Sequence, residues 1–436
     1  MGATLLHLTV SQFAAINVVF TIAWLLVVLR ITGVGRVLPR LELRTVATAA
    51  AMIALIVAMA TPALAQEGTA PETPQTRQGN LAAQQAEKAL RVQDYIPNRL
   101  ERRLETFESL LSAQSRFYPF IGSTMEGGGF ALGPGYRSRV AETGRFDAHA
   151  AVSVRRYKAA DAALTLPTLW SERLTLKLQT DWLDAPDVAF YGTGNESPDV
   201  RMGFSYRTTT VGATAQLKIA GPFAVGGGMD LMDVRAKAIG TFSSTLATPA
   251  DPTYRRSRVF AQVDTRTSPG YTRSGGLYRV DFASYNDTHA GSLGFRRIDA
   301  DVRQFIPVFR ENWTIALRAL ASSTSTSNGQ EVPYFLMPEL GGTHTLRGYS
   351  MWRFRDRNRL LLSGEYRWTV SPFVDMAAFL DAGKVAPRFG DLGVSGMKKV
   401  YGVGLRLHTF TSTVTRVELA RTPDGTSIGL SFSPSF

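Results

Sequence analysis

The residues with the clearest chemical purpose stand in Leu340-Gly341-Gly342-Thr343-His344-Thr345-Leu346-Arg347-Gly348-Tyr349, followed by Met351-Trp352-Arg353-Phe354-Arg355-Asp356. The stretch is too rich in Gly and charge to face lipid as a strand, yet alternating apolar runs precede and follow it. An Arg placed beside a Gly in a long loop needs carboxylates to receive it. Two stand downstream, Glu365 and Asp381, each inside an alternating run. Side chains alternate between the faces of a strand. Apolar Leu360, Leu362, Tyr366 and Trp368 therefore set Glu365 and Arg367 on the opposite face, and Val374, Met376, Ala378 and Leu380 do the same for Asp381. The arrangement predicts a loop folded back into a closed sheet, with Arg347 bridging two inward carboxylates on adjacent strands. A shielded, charge-assisted contact of this kind outweighs an exposed ion pair, which contributes only about 0–1 kcal/mol. Stripping the cation from two well-buried carboxylates costs roughly 3–5 kcal/mol. Gly348 lets the loop turn or approach the wall closely, and Tyr349 is expected to pack against it. Read without the carboxylates, the same residues are an ordinary tetrapeptide in an external loop; their order and parity favour the lock.

Other chemistry is thin. Ser284 and Ser292 sit near His289, but no G-x-S-x-G elbow and no H-E-x-x-H pair occurs. His149, His289, His344 and His408 show no metal-ligand spacing, and with no Cys there is neither a thiolate site nor a disulfide. The expectation is a protein that is not an enzyme and carries no cofactor. Glu365 and Asp381 have the types for acid–base work, but the loop Arg explains them more simply.

The bulk composition narrows the class. The 436 residues are 44% hydrophobic with a mean hydropathy of −0.03, too polar for a helical membrane bundle. The 39 Gly and 24 Phe, with many Thr, Ser and Val runs, point to strands. The formal charge of +12 raises nucleic acid as a partner, but the Arg residues are scattered through alternating strands rather than clustered. A polar, basic lumen is the better reading, with no nucleic acid bound.

At the N-terminus, Arg40 and Arg44 precede an apolar run from Val46 to Ala60 that ends in Thr61-Pro62-Ala63-Leu64-Ala65-Gln66. This reads as a secretory signal peptide over about residues 37–65, cleaved after Ala65, rather than a transmembrane helix. A second apolar run, Phe13 to Leu29, implies either an extra anchor or a start placed too far upstream; the second is favoured. Residues 1–65 are thus assigned as leader. Residues 66–115 are assigned as a periplasmic segment, a Pro/Thr/Gln-rich linker followed by helix. Within it Leu81 to Val92 reads helical, and a helix from Pro97 carries Leu100, Leu104, Phe107 and Leu111 as one apolar stripe. That stripe must dock on something, either the end of the barrel or a partner or lipid surface.

From about Arg116 to Phe436 the period is two. Tyr401, Val403, Leu405 and Leu407 alternate with Gly402, Gly404, Arg406 and His408, and Tyr278, Val280 and Phe282 with Arg279 and Asp281. The fold class expected is all-β: a transmembrane antiparallel β-barrel of about sixteen strands with a short N-terminal helical segment. The strands start near Arg116, Gly129, Phe146, Lys158, Leu174, Arg201, Phe223, Arg255, Gly276, Gly294, Asn312, Arg359, Val374, Val400, Thr413 and Ser427. The rival is a soluble sandwich, which the leader disfavours. A last strand with Ile428, Leu430, Phe432 and Phe436 at outward positions, ending in Phe, reads as an assembly signal for outer-membrane barrels.

These residues resemble the BamA/TamA superfamily of outer-membrane barrels, also called bacterial surface antigens. That family carries a [VI]-R-G-[FY] motif in a long in-folded loop of a sixteen-stranded barrel; here it stands as Leu346-Arg347-Gly348-Tyr349. Ser363-Gly364-Glu365-Tyr366 is similar to the strand whose Glu meets the loop Arg, and Phe379-Leu380-Asp381-Ala382-Gly383-Lys384 to the family's F-x-D-x-G strand. Weaker echoes stand at Phe190-Tyr191-Gly192-Thr193-Gly194-Asn195 and Asp264-Thr265-Arg266. The resemblance implies a loop lock of Arg347, Gly348, Tyr349, Glu365, Asp381 and Gly383. It implies a bacterial outer-membrane location and a role in membrane biogenesis by inserting or translocating protein or lipid. Its partners would be outer-membrane lipid, client outer-membrane or secreted proteins, and the machinery that assembles the barrel itself. One departure is expected: about fifty residues separate Ala65 from Arg116, too few for the periplasmic POTRA modules of the larger relatives. The alternative function is a passive pore in which the loop is only a constriction. A biogenesis barrel should have poorly paired first and last strands, and Pro434 hints that way.

Overall fold

The structure, a computed structural model, describes residues 116–436 apart from 240–250, 290, 309–311, 372, 410–411 and 433. The leader, the linker and the helices expected at 81–92 and 97–113 lie outside the described residues.

Sixteen strands form one antiparallel sheet in chain order. They open with β1 (Phe117–Gly122), β2 (Ala131–Val140), β3 (Gly144–Ser153), β4 (Lys158–Thr168), β5 (Leu174–Phe190) and β6 (Met202–Ala220). β7 (Phe223–Ile239), β8 (Thr253–Asp264), β9 (Gly275–Asp287), β10 (Phe295–Val308) and β11 (Trp313–Ser325) follow. A long loop, residues 326–357, then contains the short pair β12 (Glu339–Leu340) and β13 (Phe354–Arg355). The sheet resumes with β14 (Asn358–Ser371), β15 (Val374–Ala386), β16 (Lys398–His408), β17 (Thr413–Thr422) and β18 (Gly425–Ser431). Each start lies within two residues of the one read from the alternation.

The outer face is apolar, as a lipid-facing wall requires: Leu362, Tyr366, Leu380, Tyr401, Val417, Ile428 and Leu430 are all exposed. The inner face is mixed rather than uniformly polar and basic. Phe190, Phe204, Tyr206, Tyr254, Tyr285 and Phe295, from β5, β6, β8, β9 and β10, form a buried aromatic cluster that takes in Tyr334, Phe335 and Trp352 of the long loop. Phe204 and Tyr334 meet edge to face with ring centroids 5.1 Å apart. A loop of this length cannot leave its backbone dry and unpaired inside a lumen, and those rings give its apolar side chains a surface to bury against. One flank of the loop is held by apolar contact and the other by charge.

The two end strands are short, six residues in β1 and seven in β18. Among the described residues no ladder pairs β1 with β18.

The expected run of outward residues through Phe436 needs correction. β18 stops at Ser431, and Phe436 turns inward, 8% exposed in a cluster with Phe305 and Ala316. Pro434 offers no N–H to a ladder, and the residues after it find inner-face partners instead. The Phe436 ring lies 6.0 Å from Phe305 and 5.2 Å from the Arg367 guanidinium. Leu430 stays on the outer face, 55% exposed, and Phe432 packs on Phe130 at 5.5 Å.

Candidate functional site

Register brings the two sequence-predicted carboxylates together. β14 and β15 pair with Glu365 opposite Phe379 and Ser363 opposite Asp381, so the carboxylates are diagonal inward neighbours. Both are buried, Glu365 at 3% and Asp381 at 0% exposure. Arg347 descends between them. Its Nε donates to Asp381 Oδ2 and its Nη2 to Asp381 Oδ1, both at 2.7 Å, while its backbone N–H reaches Oδ2 at 3.3 Å. Its Nη1 donates to Glu365 Oε1 and, at 3.1 Å, to Glu418 Oε1. The guanidinium plane covers the Phe379 ring at 3.6 Å. This is the two-pronged geometry that an Arg fork offers and a Lys does not.

Sequence reasoning had two carboxylates where the structure has three. Glu418 was missed, although Val417 and Leu419 on either side place it on the inner face. The network also extends outward. Glu365 Oε2 accepts from Arg367 Nε at 2.7 Å and from Arg406 Nη2 at 2.8 Å, and Arg416 Nη1 donates to Glu418 Oε1 at 2.7 Å. Ser435 Oγ donates to Glu365 Oε2 at 3.1 Å and accepts from Arg367 Nη2 at 3.1 Å. The segment after β18 therefore shares a carboxylate with the loop. No residue spacing announced that contact, because it depends on the chain turning inward at Pro434.

The remaining predicted residues seat the loop tip. Gly348 has φ +91°, a region that L side chains rarely adopt. A Cβ there would also lie 2.8 Å from the Ala420 Cβ and 3.0 Å from Thr422 Cγ2, so the backbone runs directly against the wall. The Gly348 carbonyl accepts from Ser427 Oγ of β18 at 3.0 Å. At Gly383 a Cβ would sit 2.8 Å from Leu340 Cδ1; the bare position leaves room for the loop's apolar residues. Tyr349 is buried beside Leu340, Leu346, Phe354, Val400 and Ala420. The tip closes on itself through Gly342 N–H to the Tyr349 carbonyl at 3.1 Å. Arg318 and Arg416 donate to the carbonyls of His344 and Thr343. Burial first, and the Arg416 charge next, push the His344 imidazole down to about 4.

The weaker sequence echoes fall at the edges. Gly194 N–H donates to the Arg355 carbonyl at 2.7 Å, and Arg353 Nη2 donates to the Ser197 carbonyl at 2.9 Å. The 191–201 loop thus braces the long loop. Asp264 and Arg266 form a local ion pair at 2.9 Å, away from the lock.

An antiparallel sheet of sixteen strands with an apolar outer wall and a loop carried inside by an Arg defines an outer-membrane barrel of the in-folded-loop class. The model of the Omp85 superfamily domain matches residues 148–411, more than half of the chain, and the protein belongs to that superfamily. Among solved structures, BamA from Haemophilus ducreyi lacking POTRA domains 1-3 superposes with a TM-score of 0.56 at 12% identity. That match covers 72% of this chain and 68% of that one. CdiB from Escherichia coli matches with a TM-score of 0.50 at 12% identity, over 71% of this chain and 60% of that chain. At such identity the likeness is one of fold. No curated protein matches the sequence.

Proposed function

We propose that this protein is an outer-membrane biogenesis barrel that inserts or translocates protein or lipid, and that its lumen is closed by the 326–357 loop. The observation that carries the reading is the position of the lock. Arg347 ties the loop to carboxylates on β14, β15 and β17, and the loop tip bonds β18 through Gly348 and Ser427. The plug is thus fastened to the last strands of the sheet, where its two ends meet. A simple diffusion pore gains nothing from fastening its constriction to an end strand.

Two further features favour movement through that edge. Short end strands are the weakest part of a sheet, because unpaired backbone groups there must find other partners. A cavity of about 860 Å³ also opens where the β1–β2 loop, the loop tip and β18 meet, lined by Glu126, His344 and Ser431 alongside Phe130, Leu430 and Phe432. It joins polar to apolar surface, the combination that an amphipathic strand or a lipid needs.

The test is a tether across this edge. The chain has no Cys, so Phe130→Cys with Phe432→Cys, at the 5.5 Å ring contact, places two defined thiols that a short bis-methanethiosulfonate cross-linker can join across the edge. The reconstituted protein should speed insertion of an unfolded small β-barrel into liposomes, cross-linking of the pair should stop this, and cleavage of the cross-link by reductant should restore it. Equal rates with the tether open and closed would remove the edge from the mechanism.

A further inference from the structure

One end of the sheet carries the short turns, and in outer-membrane barrels that end faces the periplasm. Its connections run from two to five residues, except that between β8 and β9, residues 265–274, which has ten. This longer turn is folded, not slack. At its root Arg266 Nε and Nη2 donate to the Asp264 carboxylate at 2.9 Å. Ser268-Pro269-Gly270-Tyr271 then makes a β-turn, Tyr271 N–H to the Ser268 carbonyl at 3.2 Å, with Pro where its fixed φ suits the turn.

The turn bypasses β10 and β11 and lands on the ends of β14, β15, β16 and β17. Thr413 N–H donates to the Gly270 carbonyl at 2.9 Å. Tyr271 stacks on His408 with ring centroids 3.9 Å apart, and its Oη donates to Asp375 Oδ2 at 2.6 Å. Arg273 Nη2 donates to Thr369 Oγ1 at 2.6 Å and to Asp375 Oδ1 at 3.3 Å. Asp375 stands directly opposite Arg406 in the β15–β16 register, so the turn lies over the lock. Between the two is a space of only about 10 Å³, with Tyr271, Thr272 and Arg273 on one side and Arg367, Arg406 and Ser435 on the other. It has room for one water at most, and Glu365 and Arg406 are each 3% exposed. Ion pairs kept from bulk water are strong, and the same pairs when wetted contribute little.

We infer that residues 265–274 are a strap that keeps the Arg347 lock dry and shut, and that lifting it from the periplasmic side is the step that frees the loop. The inference rests on the reading that the loop closes the lumen. On the periplasmic side the strap, not the loop, is the barrier in front of Glu365 and Arg406.

Thr314 is 2% exposed and lines the same space, so Thr314→Cys puts the single thiol of the full chain beneath the strap. In detergent micelles, its rate of modification by a charged methanethiosulfonate reads strap opening. Tyr271→Phe keeps the ring and loses only the bond to a carboxylate; it should speed modification about tenfold, and Tyr271→Ala with Arg273→Ala should speed it further. With Arg347 intact and Thr314 native, both strap variants should pass larger currents than the wild type in planar bilayers. Equal modification rates with and without Tyr271→Phe would overturn the strap as a lid, even if the double variant fails to fold. Faster modification with unchanged currents would overturn its hold on the loop. Unchanged currents in Arg347→Ala as well would place the failure in the plug reading, and the inference would fall with it.

Discussion

Arg347→Ala removes every partner that Asp381 has among the described residues. All of the hydrogen bonds to that carboxylate come from Arg347, and Asp381 is fully buried. Glu365 is not orphaned, because it keeps Arg367 and Arg406; Glu418 keeps Arg416. The cost therefore concentrates on one carboxylate, and breaking a buried pair from one side costs about 3–5 kcal/mol. Asp381→Asn is milder, about 1–3 kcal/mol, because Arg347 retains two carboxylates. In Arg347→Ala/Asp381→Asn the orphaned charge is gone, so the double variant should be more stable than the sum of the single losses predicts, by about 1–3 kcal/mol. Equilibrium unfolding in urea, followed by Trp fluorescence in micelles, measures all four corners of the cycle. Losses that add to within about 0.5 kcal/mol, or an Arg347→Ala loss below about 1 kcal/mol, would refute the reasoning.

Gly348→Ala combines a left-handed backbone with a crowded wall and should cost about 2 kcal/mol or more. Gly329→Ala, at φ +77° with open space around it, should cost only the backbone term, and the two compared by urea unfolding separate close approach from strain. Protonating His344 should loosen the loop tip. Its folded value of about 4 lies below the ordinary 6.5, so its contribution to stability is full above pH 6.5 and is lost as pH falls towards 4; His344→Gln should flatten the fall of Tm over that window. Phe436→Ala should destabilise the barrel even when it is refolded without any cellular machinery, by about 3–5 kcal/mol for a buried ring. An unchanged midpoint would leave Phe436 with a role only in assembly.

The strands were legible because a lipid-facing wall enforces a strict period of two, and that period survives in β14 through β18 with few interruptions. Parity alone placed Glu365 and Asp381 on one inner face, and their register across β14 and β15 follows from the hairpin between them. Glu418 escaped notice because it lies two strands further on, and sequence parity says which face a residue occupies but not how far an Arg reaches across a lumen. The aromatic flank was illegible for a related reason: nothing in the sequence marks Phe204, Tyr206 and Tyr254 as partners of the loop's Tyr334 and Phe335, which they meet only across the lumen. Phe436 was misplaced because alternation carried past Ser431 ignores what Pro434 does to the ladder. The structure replaces that alternation with two local contacts, Ser435 on Glu365 and Phe436 on Phe305.

The account rests on a lumen closed by a loop that Arg347 holds in place, and planar-bilayer conductance tests this most directly. The purified wild-type barrel should pass small, flickering currents, and Arg347→Ala should pass larger or unstable ones as the loop leaves its seat. Large, steady currents that are the same in both proteins would contradict a fastened plug.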